Sequence, residues 1–267
     1  MISLVVGGDE HGAFEVAQEL LRAAGGRPGK AHDRDFLFVD YMTWNLPSMY
    51  DAYQTELRAN TVIVATLAGA RARLLDAQIR LHDPDAWNTL ESIEADPGDY
   101  YTAAIKHLFR SELAAEAGHL EEASTEAQAY AASATTAISS EFPGYICQVA
   151  RIEEAAGYHD KADAVLNGAG TFVDCARFRA DILNGRGDWP GAQAAYAAAV
   201  ALVPESPAAY YSWGLALARH GDLGGAPAKF SDAHQHGPNW ADPLKSWGDV
   251  LAQQGKSADA AVIRFAA

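Results

Sequence analysis

The residues of this chain that could do chemistry begin with a glycine-rich segment near the N-terminus. Residues 7–12 (GGDEHG) follow the apolar run Leu4–Val6, and backbone N–H groups of such a loop can cradle a phosphate. No Lys-Ser or Lys-Thr follows, as a P-loop requires, and no alternation of strands and helices continues the pattern. Phosphate binding is therefore kept only as a minor alternative.

Neither the histidines nor the paired carboxylates form a recognisable reaction centre. On a helix, His234 and His236 point in different directions and cannot easily share a metal ion. No HExxH motif and no His/Cys ligand spacing is present. The adjacent pairs Glu121-Glu122 and Glu153-Glu154 do not converge on one substrate, so we expect solvated helix faces there. The sequence predicts no catalytic residue, no metal ligand, no cofactor and no enzymatic activity.

Charge and hydropathy exclude two classes of partner. The chain has 20 basic and 35 acidic residues, a net charge of −15, which repels nucleic acid and anionic lipid. The longest nearly uncharged stretch, Ala59–Ala70, is too short to cross a bilayer. Cys147 and Cys175 form no CxxC motif, so we expect small buried thiols. Together these features favour a cytoplasmic protein without membrane insertion.

The elements that position these residues repeat along the chain. Several columns recur every 34 residues, namely Ala180/Gly214/Gly248, Leu183/Leu217/Leu251, Gly187/Gly221/Gly255, Ala192/Ala226/Ala260 and Pro204/Pro238. The small residues Gly214 and Ala226 let the two helices of a hairpin approach closely. Phe230 fills the space beside them. Glycine ends a first helix in the left-handed conformation, and proline stops the second helix. Each repeat therefore predicts a helical hairpin.

This pattern resembles a known repeat family. Tyr210, Leu217, Gly221, Ala226, Phe230 and Pro238 stand in the order found in tetratricopeptide repeats. The resemblance implies an all-α fold, an α-solenoid of stacked antiparallel helix pairs, with the best units at 173–206, 207–240 and 241–267. In the last unit Arg264 stands where an aromatic is expected, so either Phe265 replaces it or the last helix is rotated.

The same resemblance suggests how the rest of the chain is organised. Weaker units lie at 104–139 and 142–170, and a degenerate helix pair lies within 61–95. The predicted repeat domain is therefore 61–267. Residues 1–60 do not follow the period, and we expect a less regular N-terminal cap, since the first repeat needs its apolar face covered.

In such a solenoid the first helix of each pair lines the concave side. The residues that this register places in the groove are Arg151, Arg177, Asp181, Tyr211, Leu215, Lys245 and Asp249. A basic and an acidic residue are four apart in Arg177/Asp181 and in Lys245/Asp249, so the alternative is that each pair is satisfied internally. The Lys/Asn clamp with which some family members grip a peptide carboxylate is absent at the matching positions.

The function that the resemblance implies is a non-catalytic protein–protein interaction scaffold that binds a peptide or helix of a partner in the concave groove. The alternative is a regulatory or substrate-positioning portion of a larger enzyme or signalling protein, suggested by the unclosed last unit and the non-repeating first 60 residues. The expected partner is another protein or peptide, and the sequence is also compatible with a homo-oligomer.

Overall fold

The structure, a computed structural model, describes residues 11–12, 15–16, 19, 64–94, 100–133, 145–169 and 171–266. Within these ranges there are helices and turns but no strand, which confirms the all-α class. The helices are α1 (Val64–Arg80), α2 (Ala86–Glu91), α3 (Tyr100–Glu116), α4 (Leu120–Ser133), α5 (Tyr145–Ala155), α6 (His159–Gly168), α7 (Val173–Gly185), α8 (Trp189–Leu202), α9 (Pro207–Arg219), α10 (Ala226–His236), α11 (Asp242–Gln253) and α12 (Ser257–Ala266). The glycine-rich segment lies mostly outside the described residues.

The chain divides into two compact units. The N-terminal unit contains α1–α6, and the C-terminal unit contains α7–α12 together with the described helical residues between 11 and 19. Consecutive helices pack as antiparallel pairs, α7 with α8, α9 with α10 and α11 with α12 in the C-terminal unit. These three pairs match the three best repeats, and the α-solenoid prediction is confirmed. A domain boundary at residue 60 stays a prediction, because residues 20–63 lie outside the described ranges.

The turns within the hairpins close by a common hydrogen-bond pattern. Gly221, between α9 and α10, has φ +78°, and its N–H donates to the Ala218 carbonyl at 3.0 Å. The N–H of Asp222 donates to the Leu217 carbonyl at 2.9 Å, which completes a Schellman motif. The positive φ recurs at Gly118, Gly157, Gly187 and Gly255. In the α1–α2 turn the equivalent place is taken by His82 at φ 52°, a conformation that costs an L-residue energy.

Small residues set the spacing within each hairpin, as the repeat columns predict. Gly214 of α9 lies against the ring of Phe230 of α10, which is fully buried. Ala226 is also fully buried in this cluster. In the preceding hairpin Ala180 and Tyr196 occupy the corresponding places and are likewise buried. The packing of the first two hairpins therefore follows directly from the sequence.

In the last hairpin the expected replacement by Phe265 is wrong. Gly248 of α11 lies against the aliphatic stem of Arg264, whose Cγ takes the place that Phe230 occupies beside Gly214. The Phe265 side chain is 95% exposed. The register of α12 is thus preserved and an arginine stem fills the aromatic position, because a long side chain can bury its methylenes while its charged end stays in water.

The N-terminal unit has a core of its own. Leu75, Leu90, Leu108, Tyr130 and Ile152, from five successive helices, are all essentially inaccessible to solvent and belong to one cluster. The α3 ring of Phe109 packs edge-on against Tyr145 of α5, with ring centroids 6.3 Å apart. The degenerate upstream repeats are therefore folded helical pairs.

Cys147 and Cys175 are both buried, as expected, but neither is a free thiol. The prediction of two thiols is wrong, and the cytoplasmic location stays a prediction without that support. Among the described residues, no helix combines the length and the apolar character needed to cross a membrane.

Candidate functional site

The first helices of the three C-terminal hairpins form one continuous surface, which we call the first-helix face. It is made by α7, α9 and α11, where α9 packs against both of the others. The residues of this face are Asp174, Arg177, Asp181, Tyr211, Ser212, Leu215, Asp242, Lys245, Ser246 and Asp249. Two hydrogen bonds cross between repeats on this face, from Arg177 to Ser212 and between Tyr211 and Ser246. Six of the seven residues predicted from the sequence lie here.

Arg177 is held on this face by several neighbours. Its Nη2 donates to Asp174 Oδ1 at 2.9 Å, and its Nη1 lies 3.7 Å from Asp181 Oδ2 and 3.5 Å from Ser212 Oγ. The guanidinium also lies over the ring of Phe178, 3.9 Å from its centroid. The predicted Arg177–Asp181 pair exists, but Asp174 is the closer partner. With only 12% of its side chain exposed, Arg177 is pre-positioned rather than mobile.

Asp181 connects the first-helix face to the second helix of its own hairpin. The Tyr196 hydroxyl donates to Asp181 Oδ1 at 2.5 Å. Burial, together with the charge of Asp181, raises the pKa of Tyr196, so the tyrosine remains a hydrogen-bond donor. The Tyr196 hydrogen bond therefore orients the Asp181 carboxylate, whose other oxygen lies towards Arg177.

Tyr211 and Leu215 form the apolar part of the face. The Tyr211 ring packs edge-on against Trp240, with centroids 4.6 Å apart, while its hydroxyl lies 3.3 Å from Ser246 Oγ. Burial raises the pKa of Tyr211, and the Ser246 hydrogen bond opposes that shift. Leu215 is partly buried against the cluster around Phe230. Both side chains are half-buried, so they support the core and also reach the surface.

The charged residues of α11 do not form the Lys245/Asp249 pair that the sequence offered as an alternative. Lys245 Nζ donates to Asp242 Oδ1 at 3.3 Å, and Asp249 pairs with Arg264 of α12. The Lys245–Asp249 pair is therefore not formed. The side chains of Lys245 and Asp249 are 66% and 62% exposed, which leaves both available to a ligand.

Arg151, the seventh predicted residue, belongs to the N-terminal unit. It is exposed on α5, with its Nη2 3.5 Å from Gln148 Oε1. Its charge acts on Glu112 of α3, which is fully buried. Desolvation raises the pKa of Glu112 to about 7, although the charges of Arg151 and Arg80 oppose the shift. Within the described part of the chain, Glu112 Oε1 has no hydrogen-bond partner.

A second buried carboxylate corrects an expectation from the sequence. Glu153 was expected on a solvated face, but it is 1% exposed. Its oxygens accept hydrogen bonds from Ser124 Oγ at 2.8 Å and Gln128 Nε2 at 3.1 Å, and Lys161 Nζ lies 3.9 Å away. Because Ser124 and Gln128 belong to α4 of the preceding hairpin, the sequence of α5 could not show this burial. Glu121 and Glu122 are exposed, as expected.

One group of potential metal ligands was missed from the sequence. His11, Glu15 and Glu205 lie together in the C-terminal unit, with their ligand atoms all within 4.8 Å of one another. His11 and Glu15 are four residues apart on helical backbone, a spacing that could have been noticed. Glu205, between α8 and α9, is separated from His11 by 194 residues and could not.

The paired-helix geometry has counterparts among solved structures. A tetratricopeptide repeat protein from Parabacteroides merdae superposes with a TM-score of 0.50 at 13% identity, covering 94% of this chain and 90% of that chain. This chain has the tetratricopeptide-repeat fold. Yeast Tom70 also superposes, with a TM-score of 0.50 at 12% identity, over 87% of this chain and 56% of that chain.

No protein-family model and no curated protein sequence matches this chain. The likeness is therefore one of tetratricopeptide-repeat architecture. It agrees with the features already described, namely paired helices, a left-handed glycine in the turn and a small residue opposite an aromatic.

Proposed function

We propose that this chain is a non-catalytic scaffold that binds a segment of another protein on the first-helix face of its C-terminal unit. The observation that carries the proposal is the half-buried pair Tyr211 and Leu215, flanked by charged residues on both neighbouring first helices. An aromatic ring fixed by Trp240 and Ser246 offers contact area at a low entropic cost. Such surfaces receive extended or helical segments of partner proteins.

The charges of the first-helix face indicate the chemistry of the partner. Its four aspartates, Asp174, Asp181, Asp242 and Asp249, outnumber its two cations, Arg177 and Lys245, even though Asp249 also pairs with Arg264 of α12. The whole chain has a net charge of −15 as well. We therefore expect a partner segment with an apolar side chain over Tyr211 and Leu215 and basic residues on either side. Charge complementarity of this kind mainly steers association and selects the partner.

The test compares two substitutions that make the same change in charge. Asp249→Lys reverses an exposed charge on the first-helix face, whereas Asp259→Lys reverses an exposed charge on α12. Proteins captured from native extract by the immobilised full chain are identified by mass spectrometry. We expect one captured protein to bind the unmodified chain and the Asp259→Lys variant equally, and to bind the Asp249→Lys variant more weakly. It should elute as the salt concentration rises.

Photo-crosslinking locates the contact independently of affinity. A photoreactive residue at Lys245 is compared with one at Ala194, which is exposed on the second helix α8. Crosslinks to the captured species from position 245 and none from 194 support the proposal. Equal capture by both aspartate variants, or crosslinks from position 194 alone, would show that the partner binds elsewhere.

A further inference from the structure

The imidazole of His11 lies between two carboxylates. Its Nδ1 is 2.9 Å from Glu205 Oε2, and its Nε2 is 3.5 Å from Glu15 Oε1. Glu205 is the less exposed of the two carboxylates, with 19% of its side chain accessible, against 61% for Glu15. The repeat array thus presents a fixed acceptor to the N-terminal helical residues.

A neutral His11 cannot donate a hydrogen bond to both carboxylates. A neutral imidazole has one N–H and one lone pair, whereas an ionised carboxylate only accepts hydrogen bonds. In the neutral state one ring nitrogen of His11 would therefore direct its lone pair at a carboxylate oxygen. A metal ion bound to that nitrogen removes the repulsion.

The donor set matches a transition metal better than calcium or magnesium. One imidazole nitrogen and two carboxylate oxygens, all within 4.8 Å of one another, could supply three protein ligands to a metal ion and leave a fourth position open. His11 and Glu15 lie one helical turn apart, so both side chains reach the same point. Calcium and magnesium prefer ligand sets made of oxygen alone. We propose that His11, Glu15 and Glu205 bind a divalent transition-metal ion, with Zn²⁺ the best match.

Two aromatic rings lie near Glu205. The rings of Tyr210 and His236 stack with centroids 5.6 Å apart, and both groups lie close enough to Glu205 for its charge to act on them. A metal ion here would join the N-terminal helical residues to the α8–α9 connection.

The experiment titrates Zn²⁺ into the untagged, chelator-stripped full chain near neutral pH, with a chromophoric chelator as competitor. We expect one zinc ion per chain, and binding weaker by about tenfold or more in His11→Ala and in Glu15→Gln. His82→Ala is the matched control, because His82 is an exposed histidine 3.6 Å from a single carboxylate, that of Glu116. Its zinc affinity should equal that of the unmodified chain, and Ca²⁺ should not compete.

Both site variants alter exposed side chains, so circular dichroism should show unchanged helix content. A rise in melting temperature on adding Zn²⁺, present in the unmodified chain and absent in His11→Ala, gives a second readout. The proposal is overturned if the unmodified chain binds no zinc, or if His11→Ala binds it as tightly. In either case the contacts of His11 with Glu15 and Glu205 do not form a zinc site.

Discussion

The ring of Phe230 occupies the space that a side chain on residue 214 would need. A Cβ at Gly214 would come within 2.7 Å of Phe230 Cε1 and 2.8 Å of Cδ1. Phe230 is fully buried, so the ring cannot swing away into solvent. This contact sets the distance between α9 and α10, and through it the position of Tyr211 at the surface, since the Tyr211 and Phe230 rings are 5.9 Å apart.

Gly214→Ala should therefore destabilise the protein. Overpacking costs about 1–3 kcal/mol, and the better helix propensity of alanine returns about 1 kcal/mol, so we expect a net loss of up to about 2 kcal/mol. Urea unfolding followed by circular dichroism measures it. Gly185→Ala is the matched control, because a Cβ there meets nothing within 4 Å. A Gly214→Ala variant as stable as Gly185→Ala would show that the helices are not in close contact.

Gly221→Ala tests the backbone of the hairpin turn separately from packing. A Cβ on Gly221 would meet nothing within 4 Å, but its φ of +78° is strained for alanine. We expect a loss of about 1 kcal/mol in the free energy of unfolding. Gly224→Ala, in the same turn without a positive φ, should change stability by less than about 0.5 kcal/mol. Equal effects at the two glycines would contradict the left-handed assignment.

Glu112 should make the N-terminal unit less stable as pH rises. Its pKa is raised by burial from 4.5 to about 7, so between these values the folded state binds a proton that the unfolded state has released. Stability is therefore highest below about pH 4.5 for this group and is lost as pH rises through 7, by an amount on the order of 3 kcal/mol. Arg151, Asp76, Arg80 and Glu116 are the charges that act on it.

Glu112→Gln removes the titrating group and should flatten this part of the pH dependence. Urea unfolding of the two proteins near pH 5 and pH 8 measures the difference. We expect the variant to be the more stable protein at the higher pH, since it carries no buried charge there. Glu121→Gln, at an exposed position on α4 that is not among those charges, is the control and should retain the slope. An unchanged slope in Glu112→Gln would show that another group titrates.

The last hairpin can be tested at two adjacent residues. Phe265→Ser should change stability by less than about 0.5 kcal/mol, because the ring is 95% exposed. Arg264→Ala should cost about 1 kcal/mol, since it removes the stem that packs on Gly248. Thermal unfolding ranks the two variants. A larger loss in Phe265→Ser would restore the interpretation in which phenylalanine fills the aromatic position.

The three C-terminal hairpins could be predicted because the signals that form them are local and repeated. Gly221 with its left-handed turn, and Gly214 opposite Phe230, each lie within one 34-residue step. The first-helix face follows from the same register. The ion pairs on this face do not follow from the register, because Lys245 can reach either Asp242 or Asp249 on the same helix. Only the packed structure decides between them.

Contacts between distant segments could not be predicted. Glu153 looks like a surface residue on α5, and its burial depends on Ser124 of another hairpin. Helical periodicity identifies a face but does not say what lies across from it. For the same reason the approach of His11 to Glu205 has no signal in a single sequence.

The hydrogen bonds Arg177–Ser212 and Tyr211–Ser246 each span one repeat and no more. In a linear array of this kind, energetic influence passes from one hairpin to the next and weakens at every step. A ligand on α7 alone would therefore reach α11 only through α9, whereas a ligand on α9 acts on both of its neighbours directly.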